Sequence, residues 1–175
     1  MIDPGDEAEK IIDLLDSEKL KPILIVNTHI HPDHVGGNRM LTEKYDIEAA
    51  AGKDGFDYVE GLKEYFEEFS GMSLEELGIK RLMKDGDVIK VGKLKLKVLE
   101  TPGHSKGGIC LYADGVLFSG DTLFAGTYGR TDLIGGSENE MQRSIARLME
   151  LPDDTVVYPG HGRATTISEE RGLYA

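Results

Sequence analysis

Six consecutive residues, His29-Ile30-His31-Pro32-Asp33-His34, hold three of the five histidines in this 175-residue chain. Imidazole nitrogen and carboxylate oxygen are the donors that zinc, iron and manganese accept. The spacing also constrains the backbone. Ile23 to Val26 is a short apolar run and reads as a buried strand leading into the cluster. On extended backbone, residues two apart point the same way, so His29 and His31 can face one ion together. Pro32 stops the strand and turns the chain. Asp33 and His34 then come round to a second position nearby.

The remaining histidines each sit in a turn after a strand. His104 lies in Thr101-Pro102-Gly103-His104-Ser105, behind a segment in which Leu94, Leu96 and Val98 alternate with Lys95 and Lys97. His161 lies in Pro159-Gly160-His161-Gly162, behind Val156-Val157-Tyr158, and Asp121 follows Val116-Leu117-Phe118 in Ser119-Gly120-Asp121. Candidate ligands thus come from four strand ends, as expected of a site assembled on a rigid scaffold. A lone histidine is more often a surface or core residue than a ligand, and a histidine-rich tract can be an adventitious metal trap. Neither reading accounts for five histidines and Asp121 all placed at strand ends beside Gly and Pro.

Around these turns the pattern predicts the end of a strand at Ile2-Asp3, then a helix capped by Asp6 with Ile11, Ile12, Leu14 and Leu15 at helical spacing. It predicts a helix over about 34–45, a strand near 47–51, and one or two short helices within 56–78. Hairpins are expected from 88–91 with 94–99 and from 109–112 with 116–118. A helix over 138–149 and a strand over 155–158 complete the reading. There are no repeats or linkers, so residues 1–175 are expected to form one domain. The order suits an α+β protein of two stacked sheets with helices outside.

Composition limits the partners. With 32 acidic against 20 basic residues the net charge is −12, which argues against nucleic acid or an anionic membrane surface and leaves a small-molecule substrate. No apolar run reaches the roughly 20 residues of a membrane span. The start, MIDPGDEAEK, lacks a signal-peptide pattern. The single cysteine, Cys110, rules out an internal disulfide and suits core packing in a reducing cytosol, so a cytoplasmic location is expected.

THIHPDHVGG, TPGHS, FSGDTLF and YPGHG, in this order, resemble the successive motifs of the metallo-β-lactamase superfamily. The resemblance implies an αββα four-layer sandwich with metals at one edge. It also implies that the family's first N-terminal β-hairpin is lacking, since members normally have one before the Ile-Asp-Pro-Gly turn. A homo-oligomer could cover the sheet edge so exposed. By the same likeness His29, His31 and His104 bind one divalent ion, Asp33, His34 and His161 bind another, and Asp121 bridges them. Zinc is the expected metal, with iron and manganese as alternatives.

Within the superfamily, Gly126-Thr127-Tyr128-Gly129-Arg130-Thr131-Asp132 and the segment Thr165 to Arg171 are similar to short glyoxalase II-like (hydroxyacylglutathione hydrolase-like) enzymes. These cleave S-acylglutathione thioesters. The likeness implies attack of a metal-bridging hydroxide on the acyl carbonyl, with Asp33 and Asp121 as catalytic residues and Asp33 orienting the hydroxide or taking its proton. Tyr128 and Arg130 would line the substrate pocket, and Asp3 would support a ligating histidine. Set against full-length glyoxalase II, the likeness implies that the C-terminal helical domain is lacking, and Arg163 stands where a tyrosine is expected. Three alternatives stand beside this reading. One is an iron-dependent persulfide dioxygenase, whose branch shares Gly129-Arg130-Thr131-Asp132. Another is a lactonase, which shares the metal motifs. The third is a truncated metal-binding paralogue without catalysis.

Overall fold

In the computed structural model, which describes residues Met1–Tyr174, the chain folds as two units, Met1–Leu82 and Met83–Ala175. The first is built on three strands in sequence order, β1 (Ile25–Asn27), β2 (Ala49–Gly52) and β3 (Ile79–Met83). β1 and β2 pair in parallel, with Ile25 opposite Ala49, and every residue of both is buried. Strands buried on both faces read as continuous apolar runs, which is why they were legible. Ile2 bridges in parallel to Val26, bringing Asp3 beside the end of β1. Helices α1 (Ala8–Ser17), α2 (Pro32–Val35), α3 (Asn38–Tyr45), α4 (Lys53–Glu60) and α5 (Lys63–Ser70) complete this unit with a 3-10 turn at Glu75–Leu77. Two apolar clusters hold it, one around Ile25, Leu41 and Ala49, the other around Ile30, Val35, Phe66 and Leu77.

Several expectations need correction here. Asp6 does not cap α1: the cap position is Glu7, with no side-chain cap hydrogen bond. The Asp6 carboxylate instead lies against Gly36, 1.8 Å from where a Cβ would stand. Leu14 and Ile23 are exposed, so the buried stripe of α1 is narrower and β1 starts later than expected. The helix expected over 34–45 is broken into α2 and α3 at Gly36-Gly37. The Gly5 carbonyl accepts the Gly37 N–H, and a side chain at 37 would crowd that oxygen, so the Pro4-Gly5 turn wedges into the break. β3 was not foreseen, because only Met83 of its five residues is buried and no alternation marks it.

The second unit carries β4 (Val88–Val91), β5 (Leu94–Glu100), β6 (Ile109–Ala113), β7 (Val116–Gly120), a small hairpin of β8 (Leu123–Phe124) and β9 (Thr127–Tyr128), α6 (Glu138–Leu148), β10 (Val156–Pro159), β11 (Thr165–Thr166) and α7 (Ile167–Tyr174). Its main sheet has the order β11-β10-β7-β6-β5-β4. β5 and β7 are each antiparallel to β6, and β10 is parallel to β7, so β5, β7 and β10 all run the same way. α6 begins where the Ser137 hydroxyl accepts the Glu140 N–H. It buries Met141, Ile145 and Leu148 on one stripe against Leu99, Cys110, Leu117 and Val157. The two expected hairpins and α6 are found. β8, β9 and β11 have two residues each, too few for any period to show, and α7 hides a glutamate among its buried residues. No helix among the described residues is long and apolar enough to cross a membrane.

Candidate metal centre

The first unit gathers His29, His31, Asp33 and His34 at the exit of β1. The His29 ring lies 4.6 Å from that of His31 and 4.0 Å from that of His34, centroid to centroid. His31 is still extended as the cap of α2, and Pro32 opens that one-turn helix, which carries Asp33 and His34. His29 and His34 are buried, whereas the Asp33 side chain is 56% exposed. Asp33 Oδ2 stands 3.7 Å from His34 Nε2.

Asp3 organises both buried rings, which bears on its expected supporting role. Its Oδ1 accepts the Thr28 N–H at 2.7 Å and its Oδ2 accepts the Thr28 hydroxyl at 2.6 Å. With that hydroxyl proton committed, Thr28 Oγ1 accepts from His29 Nδ1 at 3.1 Å, so the His29 lone pair is on Nε2. His34 Nδ1 lies 3.0 Å from Asp3 Oδ2, so its Nε2 faces away from Asp3. Behind them, Asn38 donates to Asn27 at 2.8 Å and to the Leu77 carbonyl at 2.9 Å, and Asn27 donates to the His34 carbonyl.

The second unit gathers His104, Asp121 and His161. They follow β5, β7 and β10, the three strands of common direction, so the sheet delivers all three from the same end. Asp121 Oδ2 stands 3.6 Å from His104 Nε2 and 3.6 Å from His161 Nε2. His104 is buried; the His161 side chain is 55% exposed. His104 Nδ1 is 2.8 Å from the Arg130 carbonyl oxygen. A carbonyl can only accept, so the proton is on Nδ1 and the lone pair on Nε2, facing Asp121.

The donor set fits divalent metal ions. Donors about 2.0–2.2 Å from one tetrahedral ion stand roughly 3.3–3.6 Å from each other, which is the spacing of Asp121 Oδ2 from both imidazoles. The rings of His29 and His104 are held in the tautomer that puts the lone pair on Nε2, and no lysine or arginine is among the gathered side chains.

Tyr128 and Arg130 follow Asp121 on and after β9. The Tyr128 hydroxyl donates to Glu138 at 2.9 Å, which holds the phenol protonated above its ordinary range. The Arg130 guanidinium grips Asp132 through two hydrogen bonds of 2.7 Å and pulls that carboxyl down to about 2. Cys110 is buried against Thr101 and Ser119, as core packing requires. Sequence reasoning missed Thr28, Gly129 and the Arg130 carbonyl. The last is backbone and has no letter to read. Gly129 offered only a glycine between Tyr128 and Arg130, and the structure gives its reason: a Cβ there would meet the Asp121 carbonyl oxygen at 2.0 Å.

Residues 1–161 match the family described as "Metallo-beta-lactamase superfamily". The chain is 42% identical over 99% of its length to a protein of Aquifex aeolicus, covering 82% of it. It is 35% identical to the probable metallo-hydrolase YqgX of Bacillus subtilis and 33% identical to the hydroxyacylglutathione hydrolase GloC of Haemophilus influenzae, in each case over 98% of this chain and 83% of the relative. Among solved structures, the BLEG-1 B3 metallo-β-lactamase matches with TM-score 0.86 and 32% identity over 98% of this chain and 84% of that one. TTHA1623 in a di-iron-bound form matches at 0.83 and 35%, over 97% and 85%. ETHE1 from Myxococcus xanthus matches at 0.81 and 28%, over 99% and 71%.

Proposed function

This chain belongs to the metallo-β-lactamase superfamily and has its mixed α/β fold, with sheets flanked by helices; from that premise we propose that it is a binuclear metal-dependent hydrolase of S-acylglutathione-like thioesters. The observation that carries the two-metal reading is Asp121 Oδ2, equally 3.6 Å from Nε2 of His104 and of His161. One carboxylate oxygen so placed suits a ligand shared by two ions. In this reading His29, His31 and His104 hold one cation, Asp33, His34 and His161 hold the other, and Asp121 serves both.

When bound, a pair of divalent cations acidifies water to a pKa of about 7 and polarises a carbonyl oxygen. The chain's own groups do the rest. Asp3, Thr28 and the Arg130 carbonyl fix the tautomers of His29 and His104 before any ion arrives. Asp33, largely exposed, orients the attacking water or takes its proton at a carboxylate oxygen. Tyr128, whose hydroxyl is committed to Glu138 and Gln142, and the exposed Arg130, paired with Asp132, present a phenol ring and the remaining guanidinium N–H groups to the substrate. The substrate is a small molecule, consistent with a net charge of −12 that disfavours nucleic acid. The thioester preference draws on the similarity to the Haemophilus hydroxyacylglutathione hydrolase.

A second reading, an iron-dependent persulfide dioxygenase, is favoured by the likeness to ETHE1 and by the shared Gly129-Arg130-Thr131-Asp132. The deciding experiment combines elemental analysis with an S-lactoylglutathione assay on wild type, His31→Ala and Asp121→Ala. Two metals per chain, turnover in the wild type, and a loss on the order of 100-fold or more in both folded variants are expected. One iron per chain with oxygen uptake on glutathione persulfide selects the second reading. Undiminished hydrolysis in the variants would remove the first.

A further inference from the structure

Glu170 is 2% exposed, the most buried carboxylate-bearing residue among those the structure reports as buried, and it has no place in the chemistry above. A charge in such surroundings is tolerated only where hydrogen bonds take up its lone pairs. Glu170 sits in α7, and two donors converge on it. Its Oε2 accepts the Gly126 N–H at 2.9 Å, and its Oε1 accepts the Thr165 hydroxyl at 2.6 Å. Thr165 also faces Glu169 Oε2 at 2.8 Å.

Gly126 is the turn of the β8–β9 hairpin, with φ +81°. Beyond β9 the same chain reaches Gly129, which lies so close to Asp121 and His104 that a Cβ would meet the Asp121 carbonyl oxygen at 2.0 Å and His104 Cγ at 3.1 Å. The next residue, Arg130, supplies the carbonyl that takes the His104 Nδ1 proton. One short hairpin is therefore clamped at its turn by a buried carboxylate and seated by its tail on two candidate ligands.

We infer that Glu170 is a positioning residue: by clamping the β8–β9 turn it fixes the Arg130 carbonyl, and through it the orientation and tautomer of His104. The inference rests on the reading of His104 as a metal ligand, but the clamp itself can be measured without metal. A carboxylate that merely docked α7 would affect stability and leave the His104 ring alone.

Three variants separate these roles. Glu170→Gln keeps the geometry, since its carbonyl can accept from Gly126 while its amide donates to Thr165, whose proton then turns to Glu169. Glu170→Ala removes the clamp. Glu170→Asp keeps the charge but withdraws the acceptor by one methylene, and it serves where the alanine variant fails to fold. The readouts are the His104 tautomer in the metal-free protein, by NMR of isotope-labelled histidine with the ring neutral, and zinc affinity by competition with a chromophoric chelator. Wild type and Glu170→Gln are expected to show one tautomer protonated at Nδ1 and similar affinities. Glu170→Ala and Glu170→Asp should show mixed tautomers and zinc binding weaker by about tenfold or more. The buried Ile167, also on α7, gives the control: Ile167→Val should lower the melting temperature and leave both readouts unchanged. A single Nδ1-protonated tautomer with undiminished zinc affinity in the folded Ala or Asp variant overturns the inference. A wild type that binds no zinc while the tautomers respond as expected would overturn the function proposed above and leave the clamp standing.

Discussion

A methyl group at position 129 has nowhere to go: backbone oxygen of Asp121 stands on one side and the His104 ring on the other. Gly129→Ala is therefore expected to cost about 1–3 kcal/mol in urea unfolding, the usual range for overpacking, and to weaken zinc binding because one neighbour is a candidate ligand. Gly172 is the useful contrast. It lies in α7, exposed, with nothing within 4 Å of an added Cβ, so Gly172→Ala should stabilise by roughly 0.5–1 kcal/mol on helix propensity alone. At this scale the sequence was most readable where chemistry is rare. Histidines and aspartates at strand ends announced themselves, and Asp3 was expected to serve a histidine. Thr28 was hidden because a threonine hydroxyl beside a histidine is commonplace, and only its donation to Asp3 reveals what it does for His29.

Among the elements, α6 was legible from both ends inward. Ser137 caps it, and Met141, Ile145 and Leu148 recur at helical spacing. The break between α2 and α3 was not, because the cause lies in Gly5, far away along the chain. α6 also carries a charge contact with a consequence for pH. Arg147 pairs with Asp85, in the turn before β4, at 2.6 Å, and this contact holds the Asp85 carboxyl below its ordinary 3.8. A carboxyl depressed in the folded state stabilises the fold at pH above its unfolded value. That contribution fades as pH falls below 3.8 and is gone once pH has passed the depressed value. Arg147→Met should thus make urea midpoints less sensitive to acid below about pH 4. Equal acid sensitivity in wild type and Arg147→Met would contradict the assignment.

At the scale of the whole molecule, the motif strings span nearly the entire sequence, which is why family and fold could be read before any coordinates. The expectation of one domain over residues 1–175 rests on the lack of any linker or change of composition, and neither marks residue 82, where the two compact units meet in sequence. Each unit has its own apolar clusters, and the candidate ligands divide four and three between them. If two cations bind as proposed, they bind the folded chain and not the unfolded one, so zinc should stabilise by mass action. At free zinc about 100-fold above the dissociation constant the gain is about 2.7 kcal/mol. Calorimetry should show a raised melting temperature with zinc, reversed by a chelator and much reduced in His31→Ala. A melting temperature indifferent to zinc would count against the metal reading.

The common direction of β5, β7 and β10 has a consequence for inheritance. Strands that run alike must be joined by return paths, and here those paths are β6 between the first two and the stretch containing α6 between the last two. The sheet sets the ends from which His104, Asp121 and His161 emerge, and the path from β7 to β10 steadies one of them: the Arg130 carbonyl takes the His104 Nδ1 proton, and Ser137 N–H and Ser144 Oγ donate to the Gly103 and Pro102 carbonyls. A lineage can lengthen, shorten or replace the exposed residues 132–134, trading one clientele for another, without re-inventing the donors.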